Sequence, residues 1–146
     1  MFLGTSGSAP TAQRATSATL VRRGGDRLLV DCGEGTQRQL LRSDVGLIDL
    51  EDVFLTHFHA DHYLGLPGML KTFALRGREV PLTLYGPAGL RELLAGLRRV
   101  FGNLTFPVEA VELLRKKGFK AQRMEQGVAD WRARGWRIER ERQAST

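Results

Sequence analysis

Over the first 113 positions, apolar residues occur in short runs separated by turns that contain glycine or proline. Runs of β-favouring residues predict strands at 1–4, 17–23, 27–31, 53–55, 81–85 and 106–113. Apolar residues at helical spacing predict helices at 36–42, 67–75 and 87–101. This alternation of strands and helices is typical of an α/β domain.

Local signals set several of the predicted boundaries. Gly24-Gly25-Asp26 supplies residues that tolerate positive φ, and it predicts a hairpin between the second and third strands. Thr36 is predicted to be the N-cap of the first helix, directly after a glycine-rich turn at 32–35. Pro67 fits the first turn of the next helix, where a missing N–H costs nothing.

Length and charge divide the chain into two predicted parts. Its 146 residues are 42% hydrophobic, which suffices for one domain with a core. Positions 1–114 hold 12 basic and 12 acidic residues, whereas positions 115–146 hold 10 and 4, so the net charge of +6 lies in the second part. We predict a folded part at 1–113 and a basic tail at 114–146 that is helical or disordered.

The sequence shows neither an N-terminal targeting pattern nor an apolar run long enough to span a membrane. We therefore expect a cytoplasmic protein without a membrane partner. Cys32 is the only cysteine, so it has no partner for an internal disulfide or a thiol-based metal site. We expect it to be a small buried residue.

The strongest chemical signal is a cluster of metal-ligating residues directly after the strand at 53–55. All three histidines of the chain, His57, His59 and His62, lie within six positions together with Asp61. Imidazole nitrogens and carboxylate oxygens bind zinc, and two neighbouring ions generate a nucleophilic hydroxide at neutral pH. Ligands of α/β sheets gather at the carboxyl ends of strands, where this cluster lies. The pattern predicts a metal-dependent hydrolase site.

The order strand, His-x-His-x-Asp-His, helix resembles the metallo-β-lactamase superfamily, and further segments narrow the resemblance. These segments are Phe2-Leu3-Gly4-Thr5, Asp31-Cys32-Gly33-Glu34-Gly35-Thr36-Gln37, Gly65-Leu66-Pro67-Gly68 and Tyr85-Gly86-Pro87. Together they resemble ribonuclease Z, a family of tRNA 3′-processing endonucleases, over positions 2–113. The combination is more specific than the histidine motif alone, which many hydrolases of the superfamily share.

The resemblance implies the N-terminal half of an αβ/βα sandwich, in which a mixed sheet has helices on one face. It implies two zinc ions, with His57 and His59 on one ion and Asp61 and His62 on the other. Asp61 would also act as general base towards the attacking water, and Asp31 would orient a ligand histidine. The implied reaction is cleavage of precursor tRNA on the 3′ side of the discriminator nucleotide, by a homodimer.

The chain departs from the family's pattern after His62. No histidine follows that position, and Asp130 is the only later aspartate, so each zinc ion keeps two of its protein ligands. Catalytic zinc usually has three, which predicts weak metal binding and weak or absent activity of this chain alone. The arm that holds tRNA in the family is also missing. We interpret the chain as a truncated form, with the alternative that a second chain supplies the missing half.

Two other interpretations stay open. One is a different hydrolase of the superfamily, such as a thioesterase or lactonase, for which only the histidine motif argues. The other is a non-catalytic RNA binder whose tail, beginning with Arg115, Lys116 and Lys117, contacts phosphates. The helix start near Thr36 is a further candidate RNA contact, because N–H groups at a helix start attract phosphate.

Overall fold

The computed structural model describes residues 1–47 and 50–113, which form a six-stranded sheet and four helices. The strands follow one another across the sheet in chain order: β1 (Phe2–Gly4), β2 (Ala18–Arg23), β3 (Asp26–Val30), β4 (Asp52–Phe54), β5 (Leu82–Gly86) and β6 (Val108–Glu112). The helices are α1 (Thr36–Arg42), α2 (Ala60–Tyr63), α3 (Leu66–Leu75) and α4 (Leu90–Phe101).

The sheet is mixed. Strands β1, β2 and β3 pair antiparallel, whereas β3, β4, β5 and β6 pair parallel. Each parallel connection contains a helix, because a crossover is needed to return the chain to the same end of the sheet. The carboxyl ends of the parallel strands therefore meet at one edge, and both Asp31 and the histidine segment leave the sheet there.

One face of the sheet forms the core. Leu29, Val53 and Leu84 are neighbours in the register and are fully buried on this face. The helices contribute the other large side chains of the same cluster, among them Leu40, Met69, Leu70, Phe73, Leu90 and Leu94. Because burying a side chain of this size contributes about 1.5–3 kcal/mol, this layer holds α1, α3 and α4 against the sheet.

The opposite face carries one row of register partners that crosses all six strands, which we call the outer row: Phe2, Thr19, Val30, Phe54, Tyr85 and Val111. The rings of Phe54 and Tyr85 stack with their centroids 6.4 Å apart. The side chains of the outer row are half-buried or exposed, and Phe2 is 77% exposed. Among residues 1–47 and 50–113, the mixed sheet has helices on one face and none on the other, which confirms the predicted half of a sandwich.

Most predicted elements are present, and the differences have local causes. The sequence analysis did not predict α2, because its four residues are too few for a periodic pattern. Helix α4 begins at Leu90 and not at 87, since Gly89 adopts a φ of 96° at the N-cap. The prediction of Thr36 as an N-cap is wrong, because Gly35 caps α1 with a φ of 89° and Thr36 is the first helical residue.

Residues Met1–Leu114 make up one compact unit. The predicted basic tail at 114–146 lies outside the described residues, so the domain boundary at 113 stays a prediction. Within the described parts of the chain, no helix is long and apolar enough to cross a membrane.

Candidate metal centre

The histidine segment runs from the end of β4 into α2. Leu55 is fully buried and its N–H donates to the Tyr85 carbonyl over 2.8 Å, which anchors the start of the segment to the sheet. His59 is the N-cap residue of α2 in an extended conformation, and its carbonyl accepts from the His62 N–H over 3.0 Å. This tight turn brings the side chains of the motif to one side.

His57 and His59 form a first pair of donor atoms. Nε2 of His57 lies 3.1 Å from Nδ1 of His59, and the ring centroids are 4.6 Å apart. Two nitrogens that bind one tetrahedral zinc ion at about 2.0–2.1 Å are themselves about 3.4 Å apart. The spacing of this pair is therefore close to that of two ligands of one ion.

Asp61 and His62 form a second pair. Oδ2 of Asp61 lies 3.5 Å from Nε2 of His62. The ring centroids of His57 and His62 are 3.9 Å apart, so the two pairs adjoin. The structure thus brings together all four side chains that the sequence predicted as ligands.

Asp31 supports the second pair from a buried position. Its backbone adopts a left-handed φ of 60°, and its side chain accepts from Nδ1 of His62 over 2.7 Å. It also accepts from the Thr56 N–H over 2.9 Å and from the Ser17 hydroxyl over 3.3 Å. Because the carboxylate accepts, Nδ1 of His62 carries the proton and Nε2 presents its lone pair towards Asp61.

Thr56 connects Asp31 to the first pair, and the sequence analysis missed it. Its hydroxyl donates to Asp31 over 2.9 Å and lies 2.9 Å from Nδ1 of His57. The Thr56 hydroxyl has one proton, which it donates to Asp31. Nδ1 of His57 therefore carries the proton of its contact with Thr56, and Nε2 of His57 presents a lone pair on the side that faces His59. The only signal in the sequence is the position directly before the motif.

Ser8 is a second contact that the sequence did not indicate. Its backbone N–H donates to Oδ2 of Asp61 over 3.0 Å, from a residue whose φ is 60°. Partial burial raises the pKa of Asp61. The N–H groups of Ser8 and of Asp61 itself and the nearby imidazoles of His62 and His57 have the opposite effect, which is larger. The pKa of Asp61 is therefore lowered below its ordinary value. Asp61 is therefore ionised at neutral pH, as a metal ligand must be.

Each pair by itself supplies two donors. Among residues 1–47 and 50–113, no three histidine, cysteine, aspartate or glutamate side chains are grouped closely enough to hold one metal ion. Imidazole nitrogen and carboxylate oxygen are ligands of zinc, so the chemistry of the donors fits this metal. Within the part of the chain that the structure describes, each site therefore has two donors.

Glycines let the turn after β3 pack directly against the metal-ligating turn. The Cys32 N–H donates to the His62 carbonyl over 2.8 Å, and the Gly65 N–H donates to the Cys32 carbonyl over 2.9 Å. A Cβ atom on Gly33 would overlap the Asp61 carbonyl oxygen, and one on Gly65 would overlap the Gly33 carbonyl oxygen. The close approach of the two backbones therefore requires glycine at both positions.

Cys32 is the small buried residue that the sequence predicted. Its thiol is free and fully buried, and burial raises its pKa to about 12. Thr36 is also fully buried, and both its hydroxyl and its N–H donate to the Gly33 carbonyl, over 2.7 Å and 3.2 Å. Both donors of Thr36 are therefore engaged within the turn, and an RNA contact at this helix start stays a prediction. The candidate contacts Arg115, Lys116 and Lys117 lie outside the described residues.

Comparison with known proteins shows the family to which this chain belongs. The metallo-β-lactamase superfamily matches residues 11–136, and the chain belongs to this superfamily. Within it, curated relatives of the chain are ribonucleases Z. The chain is 46% identical to ribonuclease Z of Methanosarcina acetivorans over 113 residues, which cover 77% of this chain and 37% of the relative. It is 51% identical to that of Natronomonas pharaonis over 108 residues, which cover 73% and 35%.

Solved structures agree with the sequence relatives. The crystal structure of human tRNase Z, short form, is similar with a TM-score of 0.69 and 38% identity, covering 77% of this chain and 44% of that chain. A long form of RNase Z from yeast is similar with a TM-score of 0.64 and 26% identity, covering 82% and 16%. The predicted resemblance to ribonuclease Z is confirmed, and the chain spans little more than a third of its curated relatives, 37% in the first case.

Proposed function

We propose that the chain carries the N-terminal part of the site of a zinc-dependent endoribonuclease that cleaves precursor tRNA on the 3′ side of the discriminator nucleotide. The pairing of His57 Nε2 with His59 Nδ1, and of Asp61 Oδ2 with His62 Nε2, carries this proposal. The similarity to ribonucleases Z of known sequence and structure supports the substrate class.

Each residue of the site has a proposed role. His57 and His59 hold one zinc ion, and Asp61 and His62 hold the other. When bound, two zinc ions supply a nucleophilic hydroxide and stabilise charge on the attacking and leaving oxygens of a phosphodiester. The Asp61 carboxylate, held by the Ser8 N–H, accepts a proton from the attacking water, and Asp31 keeps the His62 ring in its ligating tautomer.

We further propose that this chain alone is a poor catalyst. No histidine follows His62 in the sequence, and each donor pair falls one ligand short of the three that catalytic zinc usually has. Homodimer formation belongs to the same proposal, because the resemblance implies it, and a cytoplasmic location stays a prediction. Sedimentation of the purified chain measures whether it forms a homodimer.

Cleavage of a precursor tRNA with a labelled 3′ trailer tests the proposal. The chain is assayed with zinc, alone and mixed with a polypeptide that carries the remaining part of the Methanosarcina acetivorans relative. We expect little product from the chain alone, and zinc-dependent cleavage after the discriminator nucleotide from a complex in which the two polypeptides co-elute. A co-eluting complex that does not cleave would contradict the function, and fast turnover by the chain alone would contradict the argument from missing ligands.

A further inference from the structure

One hydroxyl group joins the two donor pairs of the metal centre through a buried carboxylate. Asp31 is 4% exposed, and its Oδ2 accepts from Nδ1 of His62 over 2.7 Å. The Thr56 hydroxyl lies 2.9 Å from Oδ1 and 3.0 Å from Oδ2 of the same carboxylate, and 2.9 Å from Nδ1 of His57. The carboxylate therefore reaches one histidine of each pair, directly in the second pair and through Thr56 in the first.

The direction of the two contacts of the Thr56 hydroxyl follows from charge. A hydrogen bond to a carboxylate is about twice as strong as one between neutral groups, so the single hydroxyl proton goes to Asp31. The Thr56 N–H also donates to Oδ1 of Asp31 over 2.9 Å, which holds the residue against the carboxylate. The hydroxyl oxygen then accepts from Nδ1 of His57. In this tautomer the lone pair of His57 is on Nε2, the atom that lies 3.1 Å from Nδ1 of His59.

The backbone holds the Thr56 hydroxyl in this position. Thr56 follows Leu55, which is fully buried and whose N–H donates to the Tyr85 carbonyl over 2.8 Å. The Asp31 N–H donates to the Phe54 carbonyl over 2.8 Å, which fixes the ends of β3 and β4 side by side. Threonine is branched at Cβ and stiff at χ1, so ordering its hydroxyl costs little further freedom.

We propose that Thr56 is a positioning residue, which holds His57 in its metal-ligating tautomer and thereby connects the first donor pair to Asp31. Neutral imidazole carries its proton on either nitrogen, and only the nitrogen without a proton binds a metal ion. A ring that exchanges between the two forms binds more weakly, because only a part of the population can bind. The inference rests on the zinc ligands of the proposed function. It adds a residue outside the four donors on which the first zinc ion depends.

Three substitutions in the full chain test the role of this hydroxyl. Thr56→Val replaces the hydroxyl by a methyl group of similar size and keeps the branched Cβ, and because Thr56 is exposed, the methyl group needs no space in the core. Thr56→Ser keeps the hydroxyl and serves as the rescue variant. Thr105→Val is the matched control, because Thr105 is also exposed and its hydroxyl donates to the Arg78 carbonyl over 2.8 Å, in the loop before β6.

The tautomer of each ring is measured from the ¹⁵N chemical shifts of its two nitrogens in the metal-free chain. The chain has three histidines, so substituting each in turn by glutamine assigns the signals. Spectra are recorded at about pH 8.5, above the ordinary titration range of imidazole. In Thr56→Val we expect the His57 signals to move from the form protonated at Nδ1 towards an average of both forms, while His62 stays unchanged, and Thr56→Ser should restore them. An unchanged His57 tautomer in Thr56→Val, or an equal change in Thr105→Val, would overturn the proposal.

Zinc titration of the same samples measures the consequence for metal binding. The ring signals of His57 and His59 report on the first pair, and those of His62 report on the second. We expect Thr56→Val to weaken zinc binding at the first pair by about tenfold, the lower end of the range for groups that orient a ligand, with little change at the second pair. Thr56→Ser should recover most of the affinity. Equal weakening at both pairs would overturn the assignment of Thr56 to the first pair.

Cleavage of precursor tRNA by the complex with the second polypeptide separates this inference from the proposed function. If the unsubstituted complex does not cleave while Thr56→Val still changes the His57 tautomer and the zinc affinity, the proposed function fails and the positioning role stands. If the complex cleaves and Thr56→Val leaves the His57 tautomer unchanged, the function stands and the positioning role fails. Comparison with Thr56→Ser keeps the test decisive even where Thr56→Val lowers the free energy of unfolding.

Discussion

Asp31 accepts hydrogen bonds from Ser17, Thr56 and His62, which come from three separate parts of the chain. Residues other than glycine rarely adopt a φ of 60°, and such a conformation costs on the order of 1–3 kcal/mol when surrounding contacts enforce it. The hydrogen bonds of the carboxylate offset this cost. We therefore propose that Asp31 acts through the orientation of the His62 ring.

We expect Asp31→Asn to weaken zinc binding by about 10–100-fold, because both carboxylate oxygens of Asp31 accept hydrogen bonds, whereas the amide keeps one acceptor oxygen for the donors of Thr56 and His62 and has no negative charge. Competition with a chromophoric chelator measures the affinity. Asp44→Asn is the matched control, since Asp44 is 75% exposed and pairs with Arg22 at the surface. Equal zinc affinity of Asp31→Asn and the unsubstituted chain would show that Asp31 does not orient the ligand.

The raised pKa of Cys32 makes a prediction about reactivity and pH. With a pKa of about 12, about one thiol in ten thousand is ionised at pH 8, and the group is also fully buried. We expect no reaction with a disulfide reagent at pH 8 until the chain unfolds in denaturant. Rapid labelling of the folded chain at pH 8 would contradict the burial of the thiol.

The same shift has a consequence for stability at high pH. Below the ordinary thiol pKa of 9.0, the thiol holds its proton in both the folded and the unfolded states, so ionisation of Cys32 does not reduce the free energy of unfolding there. As the pH rises from 9.0 towards about 12, only the unfolded state gains from ionisation, and the free energy of unfolding falls. Denaturant unfolding at pH 8 and pH 10.5 measures this loss.

At the scale of elements, glycine determines how closely the turn after β3 approaches α2. We expect Gly65→Ala to destabilise the fold by about 1–3 kcal/mol, because its Cβ would overlap the Gly33 carbonyl and force the backbones apart. Gly96→Ala is the matched control. Gly96 lies inside α4 with open space around its Cα, so the same substitution should stabilise by up to about 1 kcal/mol.

Denaturant unfolding of both variants measures these opposite signs. Zinc affinity should fall together with stability in Gly65→Ala, since Cys32 and Gly65 fasten the turn to the backbone of the donor residues. A Gly65→Ala variant as stable as Gly96→Ala would mean that the two backbones can separate without cost.

Local patterns predicted the elements well, and long-range contacts account for what they missed. Helix α1 runs over the predicted range, Thr36–Arg42, because its apolar spacing and its flanking turn are both local signals. The closeness of the four proposed donor side chains was also predictable, since they lie within six positions of the sequence. The contact between Ser8 and Asp61 joins residues that are 53 positions apart, and the contact between Asp31 and His62 joins residues that are 31 positions apart. No local sequence pattern reveals either contact. Gly35 and not Thr36 is the N-cap of α1, and the Thr36 hydroxyl is buried. The prediction missed this because burial of a side chain depends on distant parts of the chain.

At the scale of the whole molecule, the sheet has one covered and one open face among the described residues. Val21 and Val111 point to the open face and are 47% and 37% exposed. Val21 lies on β2 and Val111 on β6, and the outer row places Val30, Phe54 and Tyr85 on the three strands between them. Such a continuous apolar surface binds hydrophobic dyes and other apolar surfaces more strongly than scattered residues do.

We expect Val21→Thr/Val111→Thr to lower the fluorescence of a bound hydrophobic dye and to reduce self-association, because a hydroxyl replaces a methyl group on this surface. Val100→Thr is the control, since Val100 is 80% exposed on α4, away from the sheet. Dye fluorescence and sedimentation are measured for each variant. A larger effect of the α4 substitution would place the apolar surface on the helices instead.

The separations along the chain between contacting residues also determine the chain entropy that the site costs. The four donor side chains lie within six consecutive positions, whereas the contact between Asp31 and His62 closes a segment of 31 residues. The longer closure costs about 2 kcal/mol more in chain entropy than one of three residues. The short spacing of the four donor side chains therefore costs little chain entropy, and most of the entropy cost of building the site lies in bringing the supporting carboxylate to His62.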